Sequence, residues 1–491
     1  MSFFLAKVPV GTQLYHGTPG SEPVEGMEWL AFEPEHALIF AHARGPRHPG
    51  PPPGEGHHDR EADEMDQKKY GDQQHQRPFQ APHDADLNNE EPKHGFLHTY
   101  APKRPLNLLY IDGMSAGKTQ NGTLDTQDIL LLNWTSVPDN GMWSERERAQ
   151  TLCNFTSTIW ENKIDGILRM EGGFEIILCH FERDLEVKSI MPVVENGWPG
   201  SGMMGGWQYY KAITERYHGI GGERVELDYD NFVSAFEYDG LDLWRNNVNS
   251  DVPMPRLENA KAEDLEKIRT AVGDMILKSD TENKKQKKVN WQSTADLLIT
   301  RYSTPLHQLH TSATLRSNKE DFSAYLTALL RPFIDYTSRN TTLETTRCIS
   351  QMVPTLPSKP TLAHKTIHHI TSEVCITLLT TLDITSTSLS RSVGPKNPHP
   401  SHALDLIDKL VAYLQWTTWK QCPTCSDEEI CFIPIWPMGS FEDHAEPKCR
   451  GKSEARGRNG YWGRWGPGRR PPPDKGGEEM KGGEVQLQLE L

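Results

Sequence analysis

Short apolar runs, separated by glycine, proline and polar clusters, make up the first part of the chain. Short runs with β-branched and aromatic residues are typical of strands. We expect strands at residues 13–16, 29–32, 96–100, 106–111, 164–169 and 174–181, and a strand or buried turn at 129–133. Residues 145–160 have helical spacing instead, and Pro34 favours the first turn of a further helix. The pattern predicts an α+β N-terminal module with a mixed or antiparallel sheet.

The period of the pattern changes in the second half of the chain. Apolar residues recur there at i, i+3 and i+4 in segments 257–278, 291–309, 322–336, 361–382 and 401–417. This spacing gives each helix one apolar face, which must pack against a neighbour. We therefore predict a mainly α-helical C-terminal domain over 256–420. A linker or cap rich in glycine and aromatic residues, over 191–255, joins it to the first module.

Two segments lack any apolar period. Residues 44–94 contain proline, glycine, histidine and charged residues with almost no aliphatic side chains, and residues 450–491 have a similar bias. Such compositions cannot bury enough apolar area to offset the entropy that the backbone loses on ordering. We predict a disordered insert over 44–94, which splits the α/β module into 8–43 and 95–190, and a disordered tail over 450–491.

Composition and charge exclude several classes of protein. The 491 residues carry a formal net charge of −15, which disfavours a nucleic-acid partner because phosphates would be repelled. No apolar run approaches the roughly 20 residues that a membrane-spanning helix needs, so we expect no membrane span. The apolar stretch before Lys7 is too short for a signal peptide, which favours an intracellular location. Secretion stays open because Asn-x-Thr sequons occur at Asn121, Asn133, Asn154 and Asn340.

Four of the eight cysteines lie in one late segment, 421–449, at Cys422, Cys425, Cys431 and Cys449. A Cys-x-x-Cys pair can place two sulfurs on one metal ion, and a further pair would complete a zinc site. The same residues can instead form two disulfides or remain unlinked thiols. The spacing leaves these alternatives open, because Cys431 and Cys449 do not form a second Cys-x-x-Cys.

A glycine-rich turn follows the strand predicted at 106–111. It reads Gly113-Met-Ser-Ala-Gly117-Lys118-Thr119. A phosphate-binding loop has four residues between its glycines and opens a helix whose N-terminus receives the anion. This turn has only three residues in that place, and the sequence after Thr119 does not open a helix. We interpret it as a tight turn after a buried strand.

Three short motifs of the N-terminal module carry a resemblance to a known fold. They are Leu14-Tyr-His-Gly-Thr18, Trp29-Leu-Ala-Phe32 and Gly173-Phe-Glu-Ile-Ile-Leu178. Together they resemble the diphtheria-toxin-like branch of the ADP-ribosyltransferase fold. The resemblance implies that His16 and Gly17 hold the nicotinamide half of NAD, that Trp29 stacks on the ring, and that Glu175 is the catalytic carboxylate. An aromatic face suits a cationic ring, and a carboxylate stabilises oxocarbenium charge. Trp29 stands where that branch has tyrosine.

Longer phrases at 29–37, 108–119 and 431–439 are similar to a family of uncharacterised filamentous-fungal proteins. That resemblance implies no activity. We therefore expect an uncharacterised fungal-type protein that is a noncatalytic binding or interaction module, with the helical domain available to a protein partner. The alternative is an NAD-dependent ADP-ribosyltransferase-like enzyme, for which NAD would be the cofactor.

Overall fold

The structure is a computed structural model. It describes residues 1–42, 94–119, 121–134, 144–193, 206–213, 220–244, 254–279, 289–354, 359–390, 401–422, 424–433, 439 and 442–454. The predicted disordered segments fall largely elsewhere, since residues 44–93 of the insert and 455–491 of the tail lie outside these ranges.

One large sheet forms the N-terminal module. Its strands are β1 (Ser2–Val8), β2 (Leu14–Thr18), β3 (Glu28–Ala31), β4 (Gly95–Pro102), β5 (Leu106–Ile111), β6 (Gly166–Met170), β7 (Phe174–Leu178), β8 (Leu185–Val193) and β9 (Glu226–Ser234). Across the sheet they follow the order β8-β4-β2-β3-β7-β6-β5-β1-β9. β5 and β6 are parallel, and all other neighbouring pairs are antiparallel. Of the two kinds of sheet expected, mixed or antiparallel, the protein has a mixed one.

Strands from both sides of the predicted insert interleave in this sheet. β2 lies between β3 and β4, with Tyr15 opposite Ala31 and His16 opposite His98. β3 pairs on its other side with β7. A long excursion between β3 and β4 is compatible with this pairing, because the entropy of closing a loop grows only slowly with its length.

Short helices connect the strands. They are α1 (Pro34–Leu38), α2 (Glu145–Thr158) and α3 (Phe181–Asp184). Pro34 occupies the first turn of α1, where its missing N–H costs nothing. A π-helical turn spans Thr126–Leu131, close to the place where a strand or buried turn was expected.

The two faces of the sheet bury different side chains, because successive residues of a strand point to opposite sides. One side, which we call the His16 face, contains Leu14, Leu30, Leu108, Ile176, Leu178 and Phe181. The other, the Glu175 face, contains Trp29, Leu109, Ile167 and Ile177. Helix α2 covers part of the Glu175 face through Ala149 and Leu152.

The rest of the chain is mainly helical, as predicted. Its helices are α4 (Gly206–Ile213), α5 (Ala262–Leu277), α6 (Trp291–Thr311), α7 (Ala313–Ser317), α8 (Lys319–Leu330), α9 (Thr341–Ser350), α10 (Leu362–Ser390) and α11 (Ser401–Leu414). Helices α6 and α8–α11 share one apolar core, which includes Tyr302, Leu326, Val374 and Leu378. None of the helices within the described ranges is both long and apolar enough to cross a bilayer.

Part of the predicted linker belongs to the sheet. Residues 226–234 form the edge strand β9 beside β1. This strand also contacts the helical region, because Trp291 Nε1 donates to Asp230 Oδ1 at 2.8 Å. The boundary between sheet and helices therefore runs along β9.

A small hairpin completes the described chain. It consists of β10 (Glu429–Phe432) and β11 (Lys448–Gly451), with the helical turn α12 (Glu442–Ala445) between them. Strand β11 extends two residues into the segment predicted as the tail. Ile430 and Phe432 pack with Trp207 of α4 in a separate apolar cluster.

Candidate functional site

The residues expected to bind NAD lie on three neighbouring strands, β2, β3 and β7. Register determines which of them share a face. Tyr15, Ala31 and Glu175 are successive partners across the three strands, so they lie on the Glu175 face. His16 follows Tyr15 on β2 and therefore points to the opposite side. The described structure does not bring the His16 and Glu175 side chains into one cleft.

The His16 imidazole is buried within the His16 face. It lies edge-on to Phe181, with ring centroids 5.8 Å apart, and is 3% exposed. Its Nδ1 lies 2.7 Å from the Trp29 carbonyl oxygen, and since a carbonyl only accepts, Nδ1 carries the proton. Burial lowers the pKa of His16 to about 4, against the opposing effect of that hydrogen bond. The ring is neutral and acts as a packed core residue.

Gly17 and Trp29 are also packed closely against neighbouring residues. A Cβ atom on Gly17 would lie 1.9 Å from the Ala37 carbonyl oxygen, so glycine allows the chain at α1 to approach the strand. Trp29 is 8% exposed and belongs to the same apolar cluster as Phe3 and Ile177. Both residues are therefore in close contact with their surroundings.

Glu175 lies at the edge of a buried ionic network on its face of the sheet. We call this set the charge network and define it as Lys118, Asp128, Glu145, Arg148, Arg169, Glu171 and Glu175. Their side chains are at most 10% exposed. Such a density of buried charge persists only when each group is paired.

Arg169 is the hub of the charge network. Its Nε donates to Glu175 Oε1 at 2.7 Å, its Nη1 donates to Gln127 Oε1 at 2.8 Å, and its Nη2 contacts Glu145. A planar guanidinium can satisfy three acceptors in this way, which a lysine cannot do with the same geometry. The π-helical turn supplies Gln127, so the irregular backbone there positions one of the hub's ligands.

Two further pairs complete the network. Arg148 donates through Nε and Nη2 to Asp128 at 2.9 and 2.8 Å. Lys118 Nζ donates to Glu171 Oε2 at 2.6 Å and to the Ala116 carbonyl at 3.2 Å. The lysine of the glycine-rich turn therefore points inward to a carboxylate, which supports a structural reading of that turn.

Burial and neighbouring charge act in opposite directions on these groups. Burial favours the neutral form of Glu145, but Arg169, Lys118 and Arg148 outweigh it and hold its pKa at about 2. Burial favours neutral Lys118 as well, yet the surrounding carboxylates, led by Glu145, raise its pKa. For Glu171 burial dominates and raises the pKa to about 7, although Lys118 opposes it.

Two buried polar atoms near the network lack a hydrogen-bond partner among the described residues. They are Glu171 Oε1 and His36 Nδ1. Burial lowers the pKa of His36, while Glu175 raises it and Lys118 lowers it. A carboxyl with a pKa near neutrality can exchange a proton at neutral pH, and burial is the main cause of that raised pKa in Glu171.

Sequence reasoning found Glu175 but not its partners. The sequence pattern places Lys118 in the glycine-rich turn. It does not identify Glu145, Arg169 or Glu171 as members of a site. One signal was present, since Arg169 interrupts the apolar strand Gly166–Met170 and arginine is rarely buried unpaired. Its partners come from distant segments, so the sequence pattern could not identify them.

The structure resolves the alternatives for the late cysteines. Cys422 pairs with Cys431 and Cys425 pairs with Cys449, as disulfides. The other four cysteines form the disulfides Cys153–Cys179 and Cys348–Cys375, so all eight are paired. The unlinked-thiol alternative is therefore wrong, and no zinc ligand set is free in this oxidised state.

Comparisons with known proteins concern the first part of the chain. Residues 1–199 match the family model of the YPL277C N-terminal domain. Two relatives from Saccharomyces cerevisiae (strain ATCC 204508 / S288c) are the uncharacterised proteins YOR389W, 32% identical over 204 residues, and YPL277C, 33% identical over 205 residues. Each alignment covers 40% of this chain, and they cover 30% and 39% of the respective relatives. No solved structure matches the chain.

The comparisons confirm the expected resemblance to uncharacterised fungal proteins for the N-terminal part. The chain spans well under half the length of the curated relatives that it matches. The matched residues 1–199 include strands β1 to β8, and therefore every member of the charge network.

Proposed function

We propose that this chain is a noncatalytic binding protein, in which the sheet module is a scaffold and the helical region contacts a protein partner. One observation carries the proposal. The side chains of His16 and Glu175 point to opposite faces of the sheet, and each is engaged by its own surroundings. A transferase must hold both against a single small ligand, because reacting groups have to be positioned within a few ångströms.

A surface suited to a partner lies where α10 meets α11. Ile376 on α10 is 47% exposed and Tyr413 on α11 is 53% exposed. His369, two turns before Ile376, packs edge-on against Tyr413 with ring centroids 6.5 Å apart. We call these three residues the α10–α11 surface. Aromatic and aliphatic side chains of this kind dominate the energetics of protein interfaces.

The absence of NAD chemistry is tested with the full chain. We expect that the protein neither binds the nicotinamide half of NAD nor transfers ADP-ribose from it. NAD and nicotinamide should therefore leave the melting temperature unchanged, and labelled NAD should not modify the protein. Glu175→Gln is the matched variant, because it keeps a hydrogen-bond acceptor for Arg169 while removing the charge. Labelling of the wild type that disappears in Glu175→Gln would overturn the proposal.

The partner-binding role is tested by site-specific photo-crosslinking in a fungal cell extract. A crosslinking amino acid at position 376 or 413 should capture one discrete protein. The same label at Lys188 on β8, which is 44% exposed, is the control and should not capture it. Capture at 413 should be lost when Ile376→Asp is added, since a buried charge is costly at an interface. Equal capture at all three positions would count against the α10–α11 surface.

A transferase is the second candidate, and the register of β2, β3 and β7 favours it in a modified form. Tyr15 lies on the same face as Glu175, two strands away, and is half-buried. In this version Tyr15 rather than Trp29 would stack on the ring on the Glu175 face, and the His16 side chain would take no part. NAD-dependent labelling that survives Trp29→Phe but is lost in Tyr15→Ala would support it, whereas loss in both variants or in neither would not.

A further inference from the structure

The hairpin β10–β11 brings four sulfur atoms into one place. Cys431 and Cys449 are direct cross-strand partners, and Cys422 and Cys425 precede β10. Each residue of the Cys-x-x-Cys is therefore bonded to one residue of the cross-strand pair. The sulfurs of Cys422, Cys425 and Cys449 all lie within 4.8 Å of one another, and Cys431 is bonded to the first of them.

This arrangement differs from the other two disulfides. Cys153–Cys179 and Cys348–Cys375 each join two elements as isolated pairs. Among the described residues, only the hairpin cysteines form a group of three or more potential metal ligands with mutually close donor atoms. The two adjacent disulfides therefore have a potential role beyond cross-linking.

We propose that the four hairpin cysteines form a zinc site when their disulfides are reduced. Tetrahedral Zn²⁺ with four thiolates has Zn–S distances of about 2.3 Å, which separates the sulfurs by about 3.8 Å. The observed grouping within 4.8 Å allows that geometry after rotation of the side chains. Cys422 and Cys425 precede β10, and Cys431 and Cys449 are a cross-strand pair, so two separate parts of the hairpin supply the four ligands of a structural zinc site.

The chemistry balances with a dithiol reductant. Each protein disulfide accepts two electrons and two protons from one reductant molecule, which itself becomes a disulfide. The four thiols then release four protons as they bind one Zn²⁺, leaving a centre of charge −2. Lys448, Arg450 and Lys452 are nearby cations, although Lys448 is paired with Glu446 and Arg450 with Asp443.

The hairpin needs a covalent or metal cross-link. Its strands have four residues each, and among the described residues its apolar cluster consists of Trp207, Ile430 and Phe432. A core of this size does not stabilise a fold without disulfides or a metal. Reduction without metal should therefore loosen the hairpin, and Zn²⁺ should restore it.

The proposal is tested by titrating the reduced full chain with Co²⁺ under anaerobic conditions. We expect one equivalent to produce the visible bands of tetrahedral cobalt with a thiolate charge-transfer band, and one equivalent of Zn²⁺ to bleach them. The oxidised chain should give neither. The double variant Cys348→Ser/Cys375→Ser is the matched control and should keep the bands, whereas Cys425→Ser should lose them.

A second measurement does not depend on a variant that folds. Reduced wild-type protein is alkylated with and without Zn²⁺, and the modified cysteines are identified by mass spectrometry. Protection of Cys422, Cys425, Cys431 and Cys449 together, with Cys153 unprotected, supports the site. Equal alkylation in both samples, or protection of all eight cysteines alike, would overturn it.

Discussion

The two faces of the sheet bury their side chains against different kinds of neighbour at β7. On the His16 face, Ile176 and Leu178 meet apolar neighbours and are fully buried. On the Glu175 face, one residue away, Glu175 meets a guanidinium, and the apolar contacts resume at Ile177. These side chains are buried on both faces, yet at β7 one face is stabilised by apolar contacts and the other includes a carboxylate that requires an ionic partner.

The difference lies in how each face responds to the loss of one group. An apolar core loses the transfer energy of the deleted atoms plus a cavity contribution. A buried ionic network loses about 3–5 kcal/mol when one partner is removed, because the remaining charges stay buried without partners. The two faces are therefore destabilised by different kinds of change, one by lost apolar volume and the other by unpaired charge.

Removing the hub should have the largest effect. We expect Arg169→Met to lower the free energy of unfolding by about 3–5 kcal/mol, because Glu145 and Glu175 lose a buried partner. The control is Lys278→Met, whose side chain is 74% exposed and whose partner Asp274 is 55% exposed, so that their ion pair should contribute at most about 1 kcal/mol. Urea denaturation of the purified proteins measures both. Similar losses for the two variants would contradict the distinction between the faces.

The dependence of stability on acidic pH should test whether His16 is buried in its neutral form. The pKa of His16 is about 4 in the folded state and 6.5 in the unfolded state, so only the unfolded chain takes up a proton between these values. The corresponding stability is present above pH 6.5 and is lost as the pH falls towards 4, by about 3 kcal/mol in total.

The measurement is the free energy of unfolding at several pH values for wild type and for His16→Gln. The difference between the two curves isolates this group from carboxylates such as Glu171, whose raised pKa acts in the opposite direction. The difference should shrink as the pH falls from 6.5 to 4. A difference that is constant with pH would show that His16 is not buried in its neutral form.

The smallest effect comes from a matched pair on β7. Ile176→Val and Ile177→Val each remove one methylene from a fully buried side chain, on opposite faces. Each should cost about 1 kcal/mol, because the loss is apolar in both places. Thermal unfolding monitored by circular dichroism is sufficient. A much larger loss for Ile177→Val would mean that the charge network extends its sensitivity to its apolar neighbours.

The spacing of apolar residues predicted strands and helices well where one face of the element is buried along its whole length. The strands at 106–111 and 174–178 and the helix at 291–311 are close to their predicted positions, since local spacing reflects one buried face. The acidic strand β9 was missed because its side chains are only partly buried and its pairing with β1 involves residues more than two hundred positions away. Local pattern contains no information about such a partner.

The side chains of the candidate site could not be placed from the sequence either, because their positions depend on which strands pair and in which register. The resemblance to the ADP-ribosyltransferase fold pointed to His16 and Glu175, and periodicity placed the three strands that carry these residues and Trp29 in the module. The sequence could not give the register, and a shift of one residue exchanges the faces. Register sets Tyr15, rather than His16, beside Glu175 across β3.

The sequence by itself determined the two classes of structure, the strands of the first module and the helices of the second, because periodicity depends on neighbours along the chain. It also determined that Cys422 and Cys425 are close, through their spacing. The tertiary structure alone decided that Arg169 joins Glu145 to Glu175, and that four hairpin sulfurs meet. Those contacts join segments distant in sequence, and their energy exists only once the sheet and the hairpin have formed.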